Sequence, residues 1–211
     1  YFDPSKTNKN NQKYINIFQP SRISSWKGHT LLIGYFSKLI KSLNPKPGQV
    51  FQRIEGFNNA TKKYVLQLDD DCFMNIISFF KLFYSLKENG LNCAVGPIYY
   101  DIKSPLNPIH KINNSFLGLF KRLILFILAN VPIGSNRMGT ISELGTNYGV
   151  DPNFLLKENL KVQWLPGGCI LHYNKNLILK NYYPFEGKAY CEDLIHSHFL
   201  KKNKISLFNV N

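Results

Sequence analysis

Tyr64-Val65-Leu66-Gln67-Leu68-Asp69-Asp70-Asp71 is the stretch on which the fold turns. Its first five residues are mostly apolar and follow the Lys62-Lys63 turn, so they predict a short buried strand. That strand runs directly into three carboxylates. In α/β sheets, ligands bind beyond the carboxyl ends of the strands, so the run concentrates negative charge at a binding rim. A hard divalent cation takes carboxylate oxygens and still leaves positions for phosphate oxygens. Asp69 and Asp71, two apart, are the pair that could share such an ion with a diphosphate. A surface turn, or charge placed at the N-terminus of the helix expected from Asn75, accounts for the same residues without any ligand.

Working outward, the apolar spacing predicts alternating strands and helices. Upstream, residues 1–12 are a polar lead-in and Tyr14 to Gln19 reads as a strand. A helix is expected from Thr30, with Leu31, Leu32, Tyr35, Phe36, Leu39, Ile40 and Leu43 at helical spacing and Pro45 and Pro47 ending it. Gln49 to Thr61 reads as a further helix. Downstream, a helix from Asn75 to Glu88 closes at Gly90, with Ile76, Ile77, Phe80, Phe83 and Tyr84 expected on its buried side. Asn92 to Tyr100 reads as a strand. Residues 101–150 lose this rhythm and read as an irregular excursion beside a cleft. Order returns with Val162 to Trp164, a Pro-Gly-Gly turn, a strand Cys169 to Tyr173, a helix near Lys175 to Asn181, a helix from Glu192 to Lys202 and a strand Ile205 to Phe208. The alternation points to one α/β domain over 1–211.

Composition narrows the partners. The formal charge is +13, but 22 of the 26 basic residues are scattered lysines and only Arg22, Arg53, Arg122 and Arg137 are arginines. Nucleic-acid readers concentrate arginine in one patch, so a nucleic-acid partner is not expected, whereas contact with anionic membrane is compatible with the charge. Cys72, Cys93, Cys169 and Cys191 form no CxxC pair and read as free thiols of a reducing cytoplasm. Phe116 to Ile133 is the most apolar segment. Lys121 and Arg122 interrupt it, and Leu123 to Ala129 falls short of the ~20 residues of a spanning helix. A core helix is the first reading and an interfacial one the second.

Three segments together resemble the family 2 glycosyltransferases, whose domain has the GT-A fold, a mixed sheet flanked by helices. FQRIEGFNNATKKYVLQLDDDC (Phe51 to Cys72) resembles the family's Arg-x-x-Gly helix followed by a strand ending in Asp-x-Asp, with Arg53 and Gly56 on the Arg and Gly and Ile54 in place of an Asn. WLPGGCILHYNKNLI (Trp164 to Ile178) resembles its Gly-Gly strand, and YCEDLIHSHFLKKNKISLF (Tyr190 to Phe208) resembles its Glu-Asp helix with the following basic turn and strand. The resemblance implies an inverting transfer of sugar from a nucleotide-diphospho-sugar to an acceptor hydroxyl, assisted by Mg²⁺ or Mn²⁺. Asp193 would be the general base. Asp69 and Asp71 would hold metal and diphosphate. Arg53, Asp69, Asp70, Gly167 and Gly168 would bind the nucleotide-sugar, and Trp164 and Glu192 the acceptor.

Bacterial members it resembles build surface polysaccharides or glycolipids on saccharide or lipid-linked acceptors, peripherally at the cytoplasmic membrane face. The resemblance also implies a first strand and a base-binding acidic residue before Tyr14, so the chain is expected to be truncated at its N-terminus. Two other classes share such a scaffold: a non-catalytic nucleotide- or carbohydrate-binding domain, and a nucleotidyltransferase, which the Gly-Gly strand and Glu-Asp helix disfavour.

Overall fold

A computed structural model describes residues 16–18, 48–69, 71–101, 104–112, 115–129, 131, 134–155, 158–185 and 189–211. The expected helix from Thr30 and the lead-in 1–12 lie outside the described residues, as does Asp70. The strand expected over Tyr14 to Gln19 is described as β1 (Asn16–Phe18).

The sheet is mixed, as the alternation requires. Its order is β1, β2 (Tyr64–Leu68), β7 (Cys169–Tyr173), β3 (Cys93–Pro97), β8 (Ser206–Val210), β6 (Asn159–Val162). β1 is parallel to β2 and β3 to β8, whereas β7 is antiparallel to both β2 and β3, and β6 to β8. All four parallel-running strands therefore end at one rim, where β7 begins.

Strand alternation divides the core into two layers. Tyr64 and Leu66, Cys93 and Val95, and Cys169, Leu171 and Tyr173 pack against Leu82 and Leu86 of α2 (Ile76–Glu88). On the other face, Ala94, Ile170 and Leu207 meet Val50 and Ile54 of α1 (Gln49–Asn59) and Leu200 of α4 (Glu192–Lys202). This is the layered arrangement expected of α/β folds.

Several expectations need correction. Leu82 and Leu86 of α2 are buried and Phe79 and Phe83 half-buried against the sheet, so of the five expected residues Phe83 alone faces inward, whereas Ile76, Ile77, Phe80 and Tyr84 are exposed. Apolar residues surround this helix, so periodicity alone selected the wrong phase, and the sheet's Tyr64 and Tyr173 set the real one. The strand from Asn92 stops at Pro97, and Tyr100–Asp101 pairs instead with β5 (Ser104–Pro108) as a separate hairpin. The helix expected at Lys175 is only a 3-10 turn, Asn174–Asn176. Residues 101–150 carry real structure, including α3 (Phe116–Ala129), whose side chains from Phe116 to Leu128 are largely exposed, contrary to the core reading. Among the described residues no helix is long and apolar enough to cross a membrane. The four cysteines are free, Cys93 and Cys169 buried and Cys191 exposed.

Beneath α1 and α4 the apolar layer also encloses polar groups. Arg53, Gln67, His172, His196 and Ser197 are fully buried there. The His172 and His196 rings lie 5.7 Å apart, and His196 stacks on Tyr182 at 5.0 Å. Burial, with the Arg53 charge beside it, pushes His172 down to about 3. His196 is lowered too, by burial and then by His172 and Arg53.

Both rings are therefore neutral in the fold, while in the unfolded chain they protonate below about pH 6.5. The unfolded state then binds more protons, so stability is fully present above that pH and falls as the pH drops below it. Each ring contributes up to about 1.4 kcal/mol per pH unit in that window. Urea unfolding at successive pH values should show the decline, and His196→Phe, which keeps an aromatic ring against Tyr182, should flatten it.

Candidate active site

The site grows from the rim where β2 ends and β7 begins. The Asp69 N–H donates to the Gly168 carbonyl at 2.7 Å, and the Gln67 side-chain amide donates to the Gly167 carbonyl. These two bonds tie the Pro166-Gly167-Gly168 turn to the acidic strand end. The chain then turns through Asp71, the Cys72 N–H donating to the Asp69 carbonyl at 3.2 Å. Asp69 is half-buried and Asp71 exposed.

The second component is an ion pair under the turn. Arg53 occupies the buried stripe of α1 with Val50, Ile54 and Phe57, a charge at a core position. Such a charge is tolerated only when paired. Its guanidinium donates to Glu192 Oε2 and, at 2.9 Å, to the Tyr182 hydroxyl, which itself donates to Glu192 Oε2 at 3.0 Å. Burial opposes the Arg53 charge, yet Tyr182 and Glu192 together hold its pKa above the ordinary value.

The third component is the start of α4. Cys191 adopts the left-handed conformation at φ 54°, and Glu192 and Asp193 follow in the first turn. That conformation costs a non-glycine residue roughly 1 kcal/mol, and strain of this kind gathers at functional sites. Asp193 is half-buried, and its pKa is raised by burial and then by the Glu192 charge. Farther along α4, Ser197 Oγ accepts from the Leu165 N–H at 3.0 Å, fixing the helix to the segment before the turn.

The two glycines are the meeting point. A Cβ on Gly167 would lie 2.8 Å from Glu192 Oε1, 3.4 Å from an Arg53 nitrogen and 3.5 Å from the Asp193 Cβ. A Cβ on Gly168 would lie 2.8 Å from Cys72 Sγ and 3.2 Å from the Tyr99 hydroxyl oxygen. Arg53, Gly167, Gly168, Glu192 and Asp193, separated by up to 140 positions, thus converge beside Asp69.

Trp164 is 3% exposed, and its indole N–H donates to the Tyr148 carbonyl at 3.0 Å. It lines a small crevice with Tyr99, His110 and Pro166 rather than presenting an open ring face. Sequence reasoning missed Tyr182, Gln67 and Tyr99. The one available signal was for Gln67, a polar residue inside an apolar strand. Among the described residues no three His, Cys, Asp or Glu side chains form a preformed metal cage.

A family model described as glycosyl transferase family 2 matches residues 35–142, just over half of the chain. It ends before the Gly-Gly turn and the Glu-Asp helix. The fold is similar to that of GalNAc-T7, in a crystal structure with UDP, GalNAc and Mn²⁺, at a TM-score of 0.52 and 14% identity. That likeness covers 93% of this chain and 35% of GalNAc-T7, so the chain spans about a third of that protein's length. No curated protein matches the chain in sequence.

The glycine contacts differ in how far they can yield. Glu192 is buried and pinned by Arg53, so Gly167→Ala should destabilise the protein by about 1–3 kcal/mol. Cys72 is half-buried and its Sγ is the end of a short side chain that rotates about one bond, and the Tyr99 hydroxyl needs to give only a few tenths of an ångström. Gly168→Ala should therefore cost less, about 1 kcal/mol or below. Urea titration of both variants checks the order.

Proposed function

Because the chain belongs to glycosyl transferase family 2 and has the GT-A fold, we propose that it moves a sugar from a nucleotide-diphospho-sugar to an acceptor hydroxyl, inverting the anomeric centre. The observation carrying this reading is the contact of Gly167 with Arg53, Glu192 and Asp193, next to the Asp69–Gly168 backbone bond. Asp193 and Asp69 flank one turn, which supports a base on one side of it and a diphosphate site on the other.

Asp193 is the base. Its carboxylate takes the proton of the acceptor hydroxyl as that oxygen bonds to the anomeric carbon. The bond from that carbon to the diphosphate breaks on the opposite face, and its electron pair leaves on the diphosphate oxygen. A raised pKa suits Asp193 to this task, because a base works best with a pKa close to the working pH. Asp69 and Asp71 supply carboxylate oxygens suited to Mg²⁺ or Mn²⁺, and Asp70 is proposed to add to the nucleotide contacts. With two described carboxylates and no cage, the ion would be held jointly with the donor diphosphate. When bound, the cation neutralises charge developing on the leaving group. GalNAc-T7 was solved with UDP, GalNAc and Mn²⁺, which supports donor and ion of these classes.

Arg53 and Glu192 act by position: Arg53 fixes Glu192, and Glu192 backs Gly167 and raises the Asp193 pKa. Gly167 and Gly168 let the turn pack against Glu192 and Cys72 beside Asp69, where the donor is proposed to bind, and Trp164 walls the proposed acceptor crevice. The acceptor is a saccharide or lipid-linked saccharide, and surface polysaccharide or glycolipid synthesis is the proposed setting.

Asp193→Asn should lower transfer by about 10²–10⁴-fold, read as nucleoside diphosphate released from a panel of nucleotide-sugars with Mn²⁺, while calorimetric donor binding persists. Unchanged transfer in this variant contradicts the base assignment. Nucleotide binding with no turnover in the unaltered protein would instead indicate a binding domain. The rate should fall on acidification through a pKa above the ordinary carboxylate value of about 4.

A further inference from the structure

The helix α3 is the feature the transfer chemistry leaves unused. At 100° per residue, its exposed apolar side chains Phe116, Phe120, Leu123, Ile124, Ile127 and Leu128, with Leu117, Leu119 and Phe126, fill one continuous arc of about 200°. Only the narrow remainder faces the protein, through half-buried Gly118 and Leu125 and buried Arg122. A helix docked on one protein partner needs an apolar stripe of about 100°. An arc twice as wide is covered by a medium that closes around the helix.

The surrounding charge identifies that medium. Between Asp101 and Glu143 the chain carries Lys103, Lys111, Lys121, Arg122 and Arg137 and no acidic residue. Lys111 and Lys121 are exposed, and Lys121 sits at the edge of the apolar arc, where a lysine stem lies along apolar surface and its ammonium reaches headgroups. Fourteen residues extend about 21 Å, too short to span a bilayer of about 30 Å and suited to lying within its interface.

We propose that α3 is an interfacial anchor that seats this protein on an anionic lipid bilayer. The inference does not depend on the sugar-transfer reading, and its test reads lipid binding alone.

The test is flotation of the protein with phosphatidylcholine vesicles, with and without about one phosphatidylglycerol in three lipids. Binding should be about tenfold stronger to the anionic vesicles and weaken with salt. Phe120→Glu with Ile127→Glu, at positions 56% and 70% exposed, should lower binding at least about tenfold with an unchanged melting temperature. Leu117→Asp with Leu128→Asp, 76% and 77% exposed, should do the same should the first pair unfold the helix. Phe80→Glu with Tyr84→Glu on α2 should leave binding intact. Absence of binding by the unaltered protein overturns the proposal, as does binding that survives both α3 pairs. Concentration-dependent dimers lost in the α3 variants, without vesicle binding, would assign the face to a second copy instead.

Discussion

The Arg53–Glu192 ion pair is the constraint around which the structure is arranged. A guanidinium on the buried stripe of a helix is unsupportable alone, and removing one partner of such a pair typically costs about 3–5 kcal/mol. Pairing it requires a carboxylate equally deep, which fixes the first turn of α4 over α1. Tyr182 closes the triangle by donating to the carboxylate that Arg53 engages. The neighbouring histidines must then be neutral, since a second positive charge beside Arg53 in a dry layer is strongly disfavoured.

The pair also shapes the reactive edge. Glu192 is held at a distance from Gly167 that excludes even a methyl group, so the turn lies flat against the helix start and its carbonyls bond to β2. The negative charge left on Glu192 adds to burial in raising the Asp193 pKa. A buried ion pair thus reaches the candidate base through Glu192, second to burial itself, and Arg53 matters without being open to a ligand.

The sheet and the site were legible in unequal parts. β2 and its acidic end, α1, the Gly-Gly turn and the Glu-Asp helix stood out because each combines a clear period with turn or charge chemistry. Arg53 shares the buried stripe of α1 with Val50, Ile54 and Phe57, and Gln67 and His172 lie on the same face of the sheet. No local pattern could tell that these polar groups share one layer, because strand order brings them together. The phase of α2 was illegible for a different reason: with aromatic and aliphatic residues on most of its circumference, any stripe fits the period. Pro97 and Lys175 mark places where short-range geometry outweighed apolar runs. The exposure of α3 was hidden by the assumption that an apolar segment is buried in its own chain.

The most direct test of this account is a double-mutant cycle on Arg53 and Glu192, with Arg53→Met, Glu192→Gln and the double variant compared by urea unfolding. If the pair organises the site, each single change costs about 3 kcal/mol or more and the double costs clearly less than their sum. Single costs below about 1 kcal/mol that simply add would contradict it, leaving the Gly167 turn and Asp193 to be held by other contacts.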